Sequence, residues 1–156
     1  MIGGEGSERS ALERQIEELG LRERVHLLGW RNDIHDLLSA FSLFTMSSRS
    51  EGTSISLLEA MSAGLAPVVT DVGGNSAVLG DGLSHCLVPF GDTQALAEAW
   101  SRTLATSDGQ RADGDLARNR VVNVFGLRAV VQRYEQLYLR LALAHAEDRL
   151  TPALSA

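Results

Sequence analysis

Two carboxylates, Glu51 and Glu59, frame the run Glu51-Gly52-Thr53-Ser54-Ile55-Ser56-Leu57-Leu58-Glu59, which continues as Ala60-Met61-Ser62-Ala63-Gly64. The first lies in a Gly/Ser/Thr loop after the apolar stretch Leu43-Phe44-Thr45-Met46, the second inside a helical pattern. A strand, a polar loop and a helix start together make an anion site, because the first helical N–H groups have no partner within the helix. Carboxylates beside such a site accept hydrogen bonds from hydroxyls. The pair therefore suits a ligand that carries phosphate and many hydroxyls, the profile of a nucleotide sugar. Glu51 alone reads as an ordinary solvated loop acid. Glu59 is flanked by Leu57, Leu58 and Met61, which predicts partial burial and a dedicated hydrogen-bond partner.

The elements that must position these acids follow from hydropathy patterning. Met1-Ile2 reads as the stump of a strand before the loop Gly3-Gly4-Glu5-Gly6. Ser7 is the expected cap of a helix over residues 8–19, stopped by Gly20. Strands are predicted over 25–28, 43–46, 68–70 and 86–88, and helices over 33–40, 54–63 and 93–104. The helix at 54 takes Thr53 or Ser54 as its cap, and the helix at 93 takes Thr93. Gly73-Gly74 reads as a tight turn needing positive φ. Residues 106–115 read as a polar connection, followed by helical patterns over 116–124 and 127–144. Short strands alternating with helices predict a Rossmann-like α/β fold, a parallel sheet flanked by helices on both faces. Ligands bind outside the carboxyl ends of such strands, where the loops 3–6, 29–30, 47–54 and 71–75 are expected to gather. Trp100 and Cys86 are expected in the core, and His85 and His145 at the surface.

The 156 residues are 44% hydrophobic and 22% charged, enough for one core-bearing domain. A net charge of −6 argues against nucleic acid as a partner. The single cysteine, Cys86, permits no internal disulfide, so a cytoplasmic location is the default. No apolar run approaches the roughly 18–20 residues of a transmembrane segment, and no signal peptide is evident. His26, His35, His85 and His145 are far apart in sequence, so no metal site is expected.

At the Glu51–Glu59 run the chain resembles the nucleotide-binding half of a retaining GT-B glycosyltransferase of family 4. The family pattern is Glu, seven residues, Glu, then Ala-Met, two small residues and Gly, and the chain reads Glu51…Glu59-Ala60-Met61-Ser62-Ala63-Gly64. Pro67-Val68-Val69-Thr70-Asp71-Val72-Gly73-Gly74-Asn75 resembles the family's small apolar strand ending in Gly-Gly. Asp81-Gly82 and Leu87-Val88-Pro89-Phe90-Gly91-Asp92, Gly3-Gly4-Glu5-Gly6, and Val25-His26-Leu27-Leu28-Gly29-Trp30 are similar to further family segments, in family order. The resemblance covers residues 1 to about 140.

The resemblance implies the C-terminal, donor-binding domain of a GT-B fold, over residues 1–146 and N-terminally incomplete, with 147–156 as a disordered tail. It implies retaining, metal-independent transfer of a hexose from a nucleoside-diphosphate sugar to a glycan, lipid or small-molecule acceptor. The nucleotide sugar is a substrate, and no cofactor is expected. Glu51 is the catalytic candidate, contacting sugar hydroxyls beside the reacting centre. Gly52, Thr53, Ser54 and Ile55 meet sugar or phosphate through the main chain, and Glu59 holds the ribose. Gly4 is expected near the nucleoside and Trp30 near the base, although packing is the commoner role for such a tryptophan.

Against the family pattern, an N-terminal acceptor domain and the Arg/Lys segment that neutralises the departing diphosphate are missing. The acceptor side is expected from a missing domain or a partner chain. The alternative reading is a catalytically inactive nucleotide-sugar-binding module or truncated fragment. The helix bearing Val130, Val131, Tyr134, Leu137, Tyr138 and Leu141 is amphipathic, packing on this domain or marking a partner surface.

Overall fold

A computed structural model describes residues 1–150. The chain divides into two compact units, Met1–Ala40 and the residues from Phe41 onward. The first contains β1 (Ile2–Gly3), α1 (Arg9–Glu18), β2 (Leu27–Gly29) and α2 (Ile34–Ala40). The two strands pair in parallel, with Ile2 opposite Leu27 and Gly3 opposite Gly29. Gly20, at φ 65°, ends the chain's first helix as expected. The expected Ser7 cap is not made: Glu8 occupies the cap position in helical geometry, without a side-chain bond. Only Gly29 and Leu38 are buried in this unit.

The second unit contains β3 (Leu43–Met46), α3 (Ile55–Ser62), β4 (Ala66–Thr70), α4 (Asn75–Leu79), a 3₁₀ turn (Asp81–Cys86), β5 (Leu87–Val88), α5 (Thr93–Leu104), α6 (Ser107–Arg120), a π turn (Val121–Phe125) and α7 (Leu127–Leu150). Its parallel sheet has the order β3-β4-β5. Every residue of β4 is buried, because alternate side chains serve opposite faces. Val69 packs with Leu57, Met61, Val78, Leu79, Leu83 and Cys86, while Val68 packs with Val88 and Ala99. Pro67 is tolerated in this central strand because β5 pairs only with Val69 and Thr70, leaving one neighbour at its position. The expected parallel α/β class with flanking helices is therefore observed, as two sheets rather than one.

Residues 107–115 are helical, not a connection: α6 starts at Ser107, and Thr106 Oγ1 accepts from Gly109 N at 3.1 Å. Two glycines and several acids hide this helix from periodicity analysis. Gly114 is there for close packing, since a Cβ on it would lie 2.1 Å from Gly64 O. Asp92, rather than Thr93, caps α5, with Oδ1 accepting from Ala95 N at 2.8 Å. Cys86 is buried as expected but closes the 3₁₀ turn instead of opening a strand. Trp100 is 39% exposed, so it is not core; its indole N–H donates to Thr45 Oγ1 at 3.0 Å. α7 runs through Leu150, past the expected boundary at residue 146, and residues 151–156 of the expected tail lie outside the described residues. Val131, Tyr134, Leu137, Tyr138 and Leu141 on α7 are exposed. Val130 is half-buried, so only the start of the stripe packs on this unit.

Candidate functional site

The loop from Ser47 to Ser54 joins the carboxyl end of β3 to α3. Ser54 is the α3 cap, its backbone extended and its hydroxyl accepting from Leu57 N at 3.4 Å. Among the described residues, the main-chain N–H groups of Ile55 and Ser56 have no acceptor. They are the orphan donors that give a helix start its affinity for anions. Thr53 and Ile55 expose their side chains, and only Ser54 is buried. The apolar Ile55 side chain, 71% exposed, has no packing role here.

Glu51 is half-buried, not fully solvated. Ser48 Oγ donates to Glu51 Oε1 at 2.6 Å, which fixes one oxygen of the carboxylate. The Asp71–Asn75 loop, at the carboxyl end of β4, holds the same segment through its backbone. Gly74 N approaches Glu51 O at 3.4 Å. Gly73 adopts φ 53°, and a Cβ on it would lie 1.7 Å from Glu51 O. A Cβ on Gly74 would lie 2.4 Å from Gly52 O. The Gly73-Gly74 pair is thus more than a turn. Gly73 supplies the positive φ, and both glycines let two loops touch backbone to backbone.

Glu59 departs from expectation. It is exposed, and among the described residues its carboxylate has no hydrogen-bond partner. α3 buries Leu57, Ala60 and Met61 and turns Glu59 to the opposite face. No described contact joins Glu59 to Glu51. In the first unit, Gly4 has φ 121° and donates its N–H to Gly29 O at 2.9 Å, joining the loops after β1 and β2. Trp30 is 77% exposed, so it does not pack; its indole N–H meets Asn32 Oδ1 at 3.0 Å. The four expected loops are therefore joined in two pairs, one within each unit.

A shallow cavity of about 110 Å³ opens at the carboxyl ends of β3, β4 and β5, between Ser47, Thr70, Val88, Phe90 and Leu96. A larger one, about 280 Å³, lies between the 3₁₀ turn and α6. Its one charged group, Arg120, already donates to the carbonyls of Val78 and Ala77 at 2.5 and 2.7 Å. We therefore place the site at the strand ends, where parallel α/β sheets bind ligands, not at the larger cavity.

Sequence spacing also conceals one cluster. The ligand atoms of His85, Cys86 and Asp113 lie within 4.8 Å of one another. Burial, then the nearby Asp113 charge, pushes the Cys86 thiol up to about 12, so it is protonated at neutral pH. His85 Nε2 and Asp113 Oδ1 are already paired at 3.0 Å. The cluster reads as a surface pair over a buried thiol.

The arrangement is that of an α/β domain offering a carboxylate acceptor and free main-chain N–H donors at the carboxyl ends of its strands. The chain belongs to the family of glycosyl transferases group 1, which residues 1–106 match. It is 30% identical over 145 residues to UDP-Gal:alpha-D-GlcNAc-diphosphoundecaprenol alpha-1,3-galactosyltransferase of Escherichia coli, covering 92% of this chain and 37% of that protein. Sucrose-phosphate synthase from Thermosynechococcus elongatus superposes with a TM-score of 0.76 at 30% identity, over 89% of this chain and 35% of the other. Anabaena Alr3699/HepE in complex with UDP does so with a TM-score of 0.76 at 27% identity, over 90% and 39%. The fold is the Rossmann-like half of a GT-B architecture. The chain spans little more than a third of these proteins. None of the described helices is long and apolar enough to cross a membrane.

Proposed function

We propose that this chain is the donor-binding domain of a cytoplasmic, family 4 glycosyltransferase that transfers a hexose with retention and without a metal. The donor is a nucleoside-diphosphate sugar, and the Anabaena relative's complex with UDP favours uridine as its base. The observation that carries this reading is the Glu51 carboxylate held by Ser48 in the loop that leads to the uncommitted amides opening α3. Glu51 accepts from sugar hydroxyls and, as the catalytic candidate, orients the sugar for transfer. The Gly52–Ile55 segment meets the diphosphate through its main chain.

Glu59, whose carboxylate is open, accepts from the ribose. Gly4 and Trp30 border the nucleoside. Acceptor binding falls to a second domain or a partner chain, and the acceptor is a glycan, a lipid or a small molecule.

Calorimetric titration with UDP-, GDP- and ADP-sugars and their free nucleotides tests the reading. Glu59→Ala is expected to weaken nucleotide and nucleotide sugar alike, by about tenfold, the loss of one charge-assisted hydrogen bond. Glu51→Ala is expected to weaken only the nucleotide sugar. Wild-type affinities in both variants would overturn the assignment.

A further inference from the structure

We propose that Ser48 is a positioning residue for Glu51, anchored in turn by Thr70 and Asn75. The inference rests on Glu51 being the sugar-binding acid. Three hydrogen bonds form one chain from the buried strand to the carboxylate. Asn75 Nδ2 donates to Thr70 O at 2.9 Å, Thr70 Oγ1 donates to Ser48 O at 2.7 Å, and Ser48 Oγ donates to Glu51 Oε1 at 2.6 Å. Thr70 is 3% exposed and Asn75 fully buried, so the anchor sits in the core while the carboxylate sits at its edge.

Asn75 supplies the second observation. Among the described residues its Oδ1 is buried without a partner, a cost that native structures rarely tolerate without a reason. The carbonyl of Thr70 fixes which way the amide points, because the opposite flip would set two acceptors against each other. The side chain therefore keeps an unsatisfied oxygen in order to place a donor on Thr70 O. Thr70 spans 22 positions to reach Ser48, which ties the loop to β4 instead of leaving its shape to the flexible Ser/Arg/Ser sequence of residues 48–50. The final bond engages one carboxylate oxygen from the protein side. A carboxylate offers about four acceptor positions, so Oε2 and the rest of Oε1 stay open to hydroxyls. The donor that preorganises the acid is a neutral hydroxyl.

The test compares wild type with Ser48→Ala, Ser48→Thr and Thr70→Val in two measurements. In crystal structures of the free proteins, wild type and Ser48→Thr should show one Glu51 carboxylate position on the residue-48 hydroxyl. Ser48→Ala and Thr70→Val should show it displaced or spread over several positions. In titrations, Ser48→Ala should lose about tenfold in affinity for UDP-glucose and change little for UDP, as expected for one hydrogen bond to a charged group. Ser48→Thr should restore binding, and thermal midpoints should stay within about 2 °C. An unmoved carboxylate in Ser48→Ala overturns the inference, as does equal loss for UDP-glucose and UDP. If wild type binds neither probe, the donor-site reading falls, and the crystal structures still decide whether Ser48 positions Glu51.

Discussion

The loop after β3 and the loop after β1 are both polar, glycine-bearing strand-to-helix connections, yet the structure treats them differently. The first is held from several directions: Ser54 caps α3, Thr70 grips Ser48, and Gly73 and Gly74 press on the carbonyls of Glu51 and Gly52. Behind it stands a strand whose five residues are all buried. The second has, among the described residues, one backbone hydrogen bond to another loop, Gly4 N to Gly29 O, a turn bond from Arg9 N to Gly6 O, and no atom within 4 Å of a Cβ placed on Gly4. Its unit buries only Gly29 and Leu38. Preorganisation is thus concentrated around Glu51, the acid proposed to act on the sugar. The loop proposed to border the nucleoside is held by fewer contacts.

Alanine at the two glycines breaks or sharpens this contrast. Gly73→Ala must relieve a Cβ placed only 1.7 Å from a backbone oxygen, at φ 53°. Backbone on both sides leaves no flexible side chain to yield, so we expect a loss of about 3 kcal/mol or more in chemical denaturation. UDP-glucose binding should be lost with it. Gly4→Ala has open space and only the strain of φ 121° to absorb, so about 1–2 kcal/mol is expected, with a smaller loss of UDP-glucose affinity than in Gly73→Ala. Equal effects from the two substitutions would show that the loops are held alike.

What could be read from sequence was local. The Gly64 stop, the β3 and β4 runs and the Gly73 turn depend on neighbours a few positions apart, and the structure bears them out. Ser54 was one of two capping candidates for the same reason. What escaped was set by distant partners. Ser48 and Thr70 are 22 positions apart, and His85 and Asp113 are 28; no periodicity links them. The start of α6, residues 107–115, was missed because Gly114, a helix-weakening residue, is required by contact with Gly64. Glu59 was misjudged because apolar sequence neighbours on a helix point to different faces, and Leu57 and Met61 turn inward while Glu59 does not.

Titration of Cys86 probes the well-packed unit with a smaller effect. Its thiol is raised from an ordinary 9.0 to about 12, by burial first and the Asp113 charge second. A group whose pKa is raised on folding contributes stability that is complete below its unfolded value and is lost as pH climbs through the folded one. Stability should therefore fall between about pH 9 and 12, and this slope should flatten in Cys86→Ala. Thiol labelling at pH 8 should be at least about tenfold slower in the native protein than in the unfolded chain. Rapid labelling of the native protein would show that the core over the 3₁₀ turn is open.

The smallest effect belongs to the Met1–Ala40 unit. The Arg31 guanidinium grips Asp33 through two nitrogens, Nε to Oδ1 at 2.7 Å and Nη2 to Oδ2. That hydrogen-bonded pairing holds the Asp33 carboxyl below its ordinary 3.8. A lowered carboxyl pKa contributes stability present above the unfolded value and lost as pH falls through the folded one, so its window lies below about pH 4. Both side chains face solvent, where water and salt screen the attraction. In Arg31→Ala, an NMR titration should return Asp33 toward 3.8, while the thermal midpoint at neutral pH should not change measurably. A clear drop in that midpoint would mean that this ion pair supports the thinly packed unit, and the contrast between the two loops would then rest on electrostatics as well as packing.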